Sequence, residues 1–276
     1  MSAPFRVAAL QMLSSPSVAE NLARAGELIA EAAGQGAKLV ALPEYFCILG
    51  LRDTDKVAVR EPDAASSPEA AAPVQRFLAG AARRHGVWIV GGTLPLACPD
   101  PGKVWNSCLV FDDTGARVAR YDKIHLFGFD NGAERFDEAR TILAGDTPVA
   151  LESPFGRLGL SVCYDLRFPE LYRALGRPDI LFAPSAFTAT TGRAHWETLV
   201  RARAIENLAW MVAPAQGGLH PNGRRTHGHT MVVDPWGVVV AELAEGEGVV
   251  LADIGPAAAA KARASLPALE HRRATL

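Results

Sequence analysis

The feature that most constrains the fold is an alternation of strand and helix patterns that occurs twice along the chain. Residues 5–12 alternate apolar side chains in strand fashion, residues 18–33 place them at helical spacing, and residues 38–42 form a second apolar strand. Each half then contains a hairpin pattern with an Asp-x-x-Gly turn, at residues 112–115 and 234–237. The repeat predicts a mixed α/β sheet in each half. Two such sheets, each covered by helices on one face, would stack as a four-layer α-β-β-α sandwich.

The remaining periodic segments continue this alternation. We predict helices at residues 73–85, 168–175 and 194–210, and strands at residues 87–94, 155–162, 179–183 and 211–215. Residues 128–145 are charged, contain glycine and show no sustained period. A loop of that length inside a compact domain usually has a function, so we predict that it covers a site.

Length and composition restrict the class of protein. The 276 residues suit one α/β domain spanning 1–276, and 49% apolar with 21% charged residues is typical of a globular chain. A net charge of −2 gives no general attraction to nucleic acid or to an anionic membrane. No apolar stretch approaches the roughly 20 residues that span a bilayer, and the N-terminus reads as a strand and not as a secretory signal. We therefore expect a cytoplasmic protein that binds a small molecule.

Cys163 is the candidate nucleophile that the local sequence favours. It follows the predicted strand 155–162 and precedes the predicted helix 168–175. A catalytic cysteine needs such a place at the end of a rigid element, where the following backbone N–H groups can point at an oxyanion. The alternative is a small cysteine buried in the sheet. That alternative suits the other cysteines better: Cys47, Cys98 and Cys108.

Two charged residues lie at strand ends, where open α/β sheets bind their ligands. Glu44 ends the apolar segment LVALPE, and Lys123 follows the first hairpin in YDKIHLF. A buried carboxylate needs a partner or a function, so Glu44 is either part of a structural ion pair or a general base. Lys123 is either an exposed strand-end lysine or a fixed positive charge that stabilises a thiolate and an oxyanion.

Histidines offer two weaker alternatives. His125 would permit a Cys–His mechanism, although its apolar context suits a core histidine equally well. Three more histidines lie close together in one segment: His220, His227 and His229. An H-x-H spacing without accompanying carboxylates is a weak indication of a metal site, and the cysteines show no zinc spacing. We therefore predict a polar loop near the site and no metal.

Three segments taken together, LPEYF, YDKIHLF and GLSVCYDLRFPELYRAL, resemble the motifs of the nitrilase superfamily of carbon–nitrogen hydrolases, in the order of that family. The resemblance continues through PSAFTATTGRAHWETLVRARAIEN and GHTMVVDPWG to LPALEHRR, segments that are similar to the Nit branch. It thus covers nearly all of residues 5–273. It implies the four-layer α-β-β-α sandwich and a hydrolase that needs no metal or organic cofactor.

The resemblance also implies a set of catalytic residues. By position in the family's motifs these are Glu44, Lys123, Cys163 and a second glutamate, Glu138, with Glu134 as the alternative. In the implied mechanism the first glutamate takes the thiol proton and the cysteine attacks the amide carbonyl. The lysine and the backbone N–H of Tyr164 hold the oxyanion. Ammonia leaves, and water then hydrolyses the thioester.

The Nit branch contains two close activities, an amidase for deaminated glutathione and an ω-amidase for 2-oxoglutaramate. The segments CYDLRFPEL, PSAF, RARAIE, APAQ and LPALEHRR resemble the first more closely. Because both substrates carry carboxylates, Arg167 and Arg173 are candidate carboxylate ligands, with helix-surface salt bridges as the alternative. Other residues expected to shape the substrate pocket lie near the nucleophile or in the later motif: Tyr164, Phe187, Thr188, His195 and Trp196.

The resemblance leaves three further expectations. Family members commonly dimerise through helices after the nucleophile and around residues 195–210, so we expect a homodimer or a higher homo-oligomer. Residues 128–132 read GFDNG where eukaryotic members often carry an Asp-Val-Glu-Ile-Pro type sequence, so substrate length selectivity stays open. Hydrolysis of an N-carbamoyl amine is a rival activity. A non-catalytic partner-binding protein is the rival of a different class, and the intact catalytic set argues against it.

Overall fold

Strands and helices alternate through residues 3–66 and 71–273, the parts of the chain that the computed structural model describes. The strands are β1 (Phe5–Gln11), β2 (Ala37–Ala41), β3 (Trp88–Val90), β4 (Leu94–Ala97), β5 (Val104–Phe111), β6 (Arg117–Asp122), β7 (Gly128–Asp130), β8 (Arg135–Asp137), β9 (Ala150–Ser153), β10 (Gly156–Leu160), β11 (Ile180–Phe182), β12 (Trp210–Ala213), β13 (Thr230–Val233), β14 (Val239–Leu243) and β15 (Gly248–Ile254). The helices are α1 (Val18–Gly34), α2 (Asp55–Ala58), α3 (Pro73–His85), α4 (Pro169–Ala174), α5 (Ala189–Asn207) and α6 (Pro256–Ser265), with 3₁₀ turns at Glu138–Arg140 and Cys163–Arg167.

Two large sheets form the centre of the fold. The first has the order β15-β1-β2-β3-β5-β4, with β6 also paired to β5, and the second has the order β14-β13-β12-β11-β10-β9. In the first half the parallel strands β1, β2 and β3 are followed by the antiparallel pair β5 and β6. In the second half β10, β11 and β12 are followed in the same way by β13 and β14. The repeat seen in the sequence is therefore a repeat of strand pairing.

The alternation of side chains along β1 explains why the layers stack. Val7 and Ala9 lie in the core between the two sheets, whereas Ala8 and Leu10 lie in the core under α1 and α3. A strand buried on both faces needs apolar residues at every position, as in this strand. Helix α5 packs on β12 and β13 of the second sheet. The predicted four-layer α-β-β-α sandwich is thus confirmed. Within the described ranges, no helix is both long and apolar enough to cross a membrane.

Two predicted elements differ most from the structure in their bounds: the helix predicted at residues 194–210 is α5 (Ala189–Asn207), and the strand predicted at residues 87–94 is β3 (Trp88–Val90). Helix α5 begins at Ala189 and not at residue 194, because the hydroxyl of Thr188 caps it by accepting a hydrogen bond from the N–H of Thr191. The strand predicted at residues 87–94 is interrupted after β3. Gly92 has a φ of +55°, and a Cβ there would lie 2.2 Å from the carbonyl oxygen of Pro43. The chain therefore needs glycine to pass beneath the turn that follows β2.

Residues 128–145 were expected to form a loop without regular structure, and that expectation is wrong in part. Strands β7 and β8 pair as a short hairpin, and the 3₁₀ turn Glu138–Arg140 follows. The pairing keeps Phe129 opposite Phe136. A three-residue strand is too short to show a period in the sequence, so composition alone indicated a loop. The hairpin positions Glu138 near the candidate catalytic residues.

Candidate active site

Three strand ends bring the candidate catalytic side chains together. Glu44 follows β2, Lys123 follows β6 and Cys163 follows β10. The Nζ atom of Lys123 lies 2.9 Å from Oε1 of Glu44 and 2.7 Å from Oε2 of Glu138. The side chains of Lys123 and Glu44 are 0% and 1% exposed, so their ion pair is fully buried. The charges of Glu44, Lys123 and Glu138 all act on the thiol of Cys163.

Glu138, and not Glu134, is the second glutamate of this cluster. Its Oε1 atom accepts a hydrogen bond of 2.7 Å from the hydroxyl of Tyr45, and its Oε2 atom accepts bonds from Lys123 and from the N–H of Phe127. Glu134 instead accepts a bond of 2.6 Å from a surface threonine hydroxyl. Both oxygens of Glu138 are therefore occupied, which fixes the position of the ammonium group.

Glu44 is held by groups that the sequence analysis did not identify. Its Oε1 atom accepts a hydrogen bond of 3.0 Å from the side-chain amide of Asn106, and the next residue, Tyr45, donates its N–H to the hydroxyl of Thr93. Asn106 is a buried polar side chain in β5, most of whose residues are apolar. A buried amide must be hydrogen-bonded, and this requirement is the signal that could have indicated it.

Cys163 occupies a strained backbone position. Its φ of 49° lies in the left-handed region, which residues with a Cβ adopt at a cost. Its N–H donates to the carbonyl of Pro184, and its thiol accepts a hydrogen bond from the N–H of Ala186. Tyr45, which follows Glu44, has a φ of 56°. Strained turns of this kind turn the side chain out of the sheet, which matches the strand, sharp turn and helix predicted around the cysteine.

Asp165 connects the two segments that carry the lysine and the cysteine. The carboxylate is fully buried. Its Oδ2 atom accepts hydrogen bonds from the hydroxyl of Tyr121 at 2.6 Å and from the N–H of Val162 at 2.8 Å. Its Oδ1 atom accepts a bond of 3.0 Å from the N–H of His125. The network ties residues 121–125 to residues 162–165, so it fixes the lysine relative to the thiol.

The same hydrogen-bond network fixes the position of the His125 ring. The Nδ1 atom is 2.7 Å from Oδ1 of Asp165, and the ring stacks on Phe168 with 3.7 Å between the ring centres. His125 is therefore packed between an aspartate and an aromatic ring. The charges that act on the thiol are those of the glutamates and the lysine. The arrangement favours the Glu–Lys–Cys mechanism over the Cys–His alternative.

Burial and charge set the protonation states in the cluster. Burial raises the pKa of the Cys163 thiol and the charge of Glu44 raises it further, while Lys123 opposes both. For Lys123, burial lowers the pKa, but Glu138 and Glu44 together raise it above its ordinary value. Two carboxylates and one ammonium leave a net charge of −1, and a thiolate would make it −2. The thiol therefore stays neutral at rest and needs a base during attack.

The predicted pocket residues fall into two groups. The pocket beside Cys163 is lined by Phe127, Tyr164, Arg167, Ala186, Phe187, Thr188 and Thr191. The guanidinium of Arg167 lies 5.6 Å from the ring centre of Tyr164 and 5.5 Å from that of Phe187. Four predicted residues thus line one pocket, and Arg167 brings a positive charge to it.

Three other predicted residues lie outside that lining. Arg173 donates to the carbonyl of Glu206, so it joins α4 to the end of α5. Trp196 is fully buried behind Phe187 and donates its indole N–H to the carbonyl of His229. His195 is exposed, with its Nδ1 atom 3.3 Å from Arg167. The structure therefore places Arg173 and Trp196 in supporting positions, and His195 at the outer side of Arg167.

The remaining cysteines and histidines lie apart from this chemistry. Burial raises the pKa of Cys47 and raises that of Cys108 to about 12, so both thiols are neutral. Burial lowers the pKa of His220 to about 4. Its two ring nitrogens contact the carbonyl of Ser14 and the hydroxyl of Thr226. In the described parts of the chain, no group of three or more potential ligand residues is placed to hold a metal ion.

Comparison with known proteins gives one consistent result. The profile of the family described as Carbon-nitrogen hydrolase matches residues 6–264. A deaminated glutathione amidase of Synechocystis sp. is 44% identical over 275 residues, which are 98% of each chain. Omega-amidase NIT2 of Xenopus tropicalis is 36% identical over 98% of this chain and 96% of its own. The crystal structure of Saccharomyces cerevisiae Nit3, a member of branch 10 of the nitrilase superfamily, superposes with a TM-score of 0.87 at 30% identity, over 99% of this chain and 98% of that one.

Proposed function

Because the chain belongs to the carbon–nitrogen hydrolase family, we propose that it is a cysteine-dependent amidase whose substrate is deaminated glutathione. The observation that supports this most directly is the buried ammonium of Lys123, which bridges Glu44 and Glu138 at the thiol of Cys163. The cluster contains a nucleophile, a base and an oxyanion-stabilising charge, which are the groups that hydrolysis through a thioester requires.

The mechanism proceeds in two stages. Glu44 takes the proton of Cys163 as the sulfur attacks the amide carbonyl, so the net charge of the cluster stays at −1 and no free thiolate is needed. Lys123 stabilises the oxyanion of the tetrahedral intermediate, and Glu138 holds the lysine in place. Glu44 then returns the proton to the leaving nitrogen. In the second stage Glu44 activates a water molecule, which hydrolyses the thioester and releases the carboxylic acid.

Atom balance identifies the leaving group. Hydrolysis of deaminated glutathione gives 2-oxoglutarate and cysteinylglycine, and the amide nitrogen stays in the dipeptide. The leaving group is therefore the amine of cysteinylglycine. Ammonia, which was expected above as the leaving group, is released only when the substrate is a primary amide such as 2-oxoglutaramate. An assay of this protein must consequently follow the free dipeptide as well as ammonia.

The choice of substrate is tested by comparing two amides with the wild-type protein. We expect kcat/KM for deaminated glutathione to exceed that for 2-oxoglutaramate by about tenfold or more, the value of one additional hydrogen bond to a charged group. The measurement is steady-state release of 2-oxoglutarate from both substrates. A preference for the shorter amide would instead assign an ω-amidase, which the 36% identity to such an enzyme keeps as the second candidate.

We also propose that the protein is a homodimer. Four large apolar side chains are unusually exposed near one end of the second sheet: Ile205, Trp236, Val238 and Val240. The turn between β13 and β14 lies against α5, because Arg201 donates to the carbonyl of Gly237. Clustered exposed apolar residues of this kind commonly mark a protein–protein interface. The patch includes Ile205 of α5, the helix that the family resemblance implies for the dimer interface.

Light scattering after size-exclusion chromatography tests the dimer. The wild-type protein should have twice the 29.3 kDa mass of the chain, and Trp236→Glu should shift it to a monomer because a charge replaces a buried apolar contact. Val118→Glu is the matched control, since Val118 is also exposed but lies on β6, away from α5. A monomeric wild type, or a dimer that survives Trp236→Glu, contradicts this interface.

Two further parts of the proposal concern the whole chain. We propose that residues 1–276 form one catalytic domain, because the family match extends over residues 6–264. We propose a cytoplasmic location, because all four cysteines are free thiols, as expected in a reducing compartment. Cell fractionation tests the location, and recovery of the protein outside the cytoplasmic fraction would contradict it.

A further inference from the structure

A second cavity lies next to the catalytic cluster, and Arg167 is not among the residues that line it. It has a volume of about 460 Å³ and is lined by Tyr45, Lys56, Phe136 and Arg224 among others. A narrower extension of it reaches Glu138 and Phe127. Phe127 also lines the pocket at Cys163, so the two spaces share this side chain. A volume of this size is ordinary for a ligand site.

Two cations in this cavity lack a paired anion. Among the described residues, neither Lys56 nor Arg224 has a carboxylate within ion-pair distance. Lys56 contacts a threonine hydroxyl at 3.3 Å and lies over the ring of Tyr45, with 5.4 Å to its centre. Arg224 lies over the ring of Phe136, with 5.1 Å to its centre. The Nε atom of Arg224 is buried without a hydrogen-bond partner.

Four other charged side chains line this cavity: Arg52, Asp53, Glu134 and Arg225. Arg52 pairs with Asp55, and Arg225 pairs with Glu245. Both oxygens of Glu138 are already occupied, as described above. Lys56 and Arg224 are close enough for each to feel the charge of the other. The carboxylates of Glu138 and Asp53 also act on Lys56 and raise its pKa, but neither forms a direct ion pair with it. A carboxylate bound between Lys56 and Arg224 would supply the direct pairing that both cations lack.

We propose that Lys56 and Arg224 bind the terminal carboxylate of the leaving amine, so that the enzyme is specific for amides whose nitrogen carries a carboxylated, dipeptide-like group. This inference rests on the proposed amidase function and adds the orientation of its substrate. Deaminated glutathione has one carboxylate on each side of its scissile amide. Cationic side chains likewise lie in two separate spaces near the cluster: Arg167 in the pocket that Cys163 lines, and Lys56 with Arg224 in the larger cavity.

The length of a dipeptide and the position of the cavity agree with this orientation. A dipeptide extends about 7 Å from its amine to its carboxylate, which suits a cavity that begins beside Glu138. Arg224 also donates to the carbonyl of Ala186, whose N–H contacts the Cys163 thiol. The leaving-group site is thus attached to the backbone that holds the nucleophile. A primary amide such as 2-oxoglutaramate has no group to place in this cavity, so the cavity also gives a reason for the proposed preference for the longer substrate.

The test compares deaminated glutathione with the same compound carrying a C-terminal carboxamide. With the wild-type protein, we expect kcat/KM to be about tenfold or more higher for the free acid, as for a charge-assisted hydrogen bond. Lys56→Met should abolish most of this preference, and Arg224→Gln should reduce it. Lys56→Arg should restore it, which excludes a purely structural effect. Lys38→Met is the matched control, because it removes the same charge from an exposed position on β2.

A binding experiment separates this proposal from the proposed substrate. Calorimetry with Cys163→Ala should show that cysteinylglycine binds more tightly than its carboxamide, and that adding Lys56→Met removes the difference. Binding of 2-oxoglutarate should not depend on Lys56. If the wild type fails to hydrolyse deaminated glutathione, the proposed function is wrong. The binding experiment still tests whether Lys56 contributes to a carboxylate site. The proposed orientation is overturned if Lys56→Met weakens the binding of 2-oxoglutarate and leaves the binding of cysteinylglycine unchanged. It is also overturned if Lys56→Met lowers kcat/KM equally for the free acid and the carboxamide.

Discussion

Cys163→Ala should abolish hydrolysis of deaminated glutathione and of 2-oxoglutaramate, with a loss in kcat of at least about 10⁴-fold. The covalent stage has no other group to carry it, because the remaining thiols lie outside the site and two of them are buried and neutral. The fold should persist, since alanine keeps the Cβ that the position at φ 49° already accommodates. Release of 2-oxoglutarate measures the activity, and circular dichroism with the melting temperature measures the fold.

A matched control and a covalent readout make this test specific. Cys98→Ala removes a free thiol from a loop and should leave kcat/KM unchanged. Acid quenching of the wild type during turnover should trap the acyl group as a mass increase on the peptide that contains Cys163. The proposed mechanism would be wrong if Cys163→Ala kept a tenth or more of the activity in a folded protein, or if the trapped acyl group were found on another residue.

The sequence predicted those parts of the site that lie at strand ends. Glu44 and Cys163 follow apolar strands and Lys123 follows the first hairpin, and the family's motifs include all three residues. They meet because the two sheets stack on each other, and a single sequence does not show how sheets stack. The repeat of strand and helix patterns predicted the layers for a simple reason. Strands buried on both faces are apolar throughout, and hairpin turns have recognisable residues.

The parts that could not be predicted depend on long-range contacts. Asn106, Asp165 and Tyr45 hold the catalytic groups through hydrogen bonds to residues far away in the sequence. Lys56 lies on a helix of four residues, in a segment between β2 and α3 that is rich in Asp, Pro, Ser and Ala. Arg224 lies in a segment that was interpreted only as a polar loop. Nothing in either local pattern indicates a shared cavity, because cavities form between segments and have no sequence period.

Lys123→Met should both inactivate and destabilise the protein. The loss of the oxyanion's cationic partner should lower kcat by about 10²–10³-fold. The variant also leaves the carboxylates of Glu44 and Glu138 buried without their shared cation, and breaking a buried pair typically costs about 3–5 kcal/mol. Steady-state kinetics and urea unfolding at pH 7 measure the two effects separately.

The pH dependence of this variant follows from the groups around Glu138. In the wild type burial raises the pKa of Glu138, but the charge and hydrogen bond of Lys123, together with the hydrogen bonds from Phe127 and Tyr45, lower it overall. Without Lys123, burial, the largest single effect on this carboxyl, is opposed only by the hydrogen bonds and by the charge of Lys56, so the pKa of Glu138 in the folded variant should rise above its unfolded value. A group with a raised folded pKa loses stability as the pH increases. The stability deficit of Lys123→Met relative to the wild type should therefore be largest at neutral pH and shrink toward pH 5.

The double variant Lys123→Met with Glu138→Gln separates catalysis from stability. It removes one of the two uncompensated carboxylates, so it should regain much of the lost free energy of unfolding. The pH dependence of its stability deficit should also largely disappear. Its kcat should stay as low as that of Lys123→Met, because the oxyanion still lacks a cation. If the double variant recovered activity together with stability, the lysine would act only by supporting the fold. If Lys123→Met alone lost only twofold in kcat, its role at the oxyanion would be excluded.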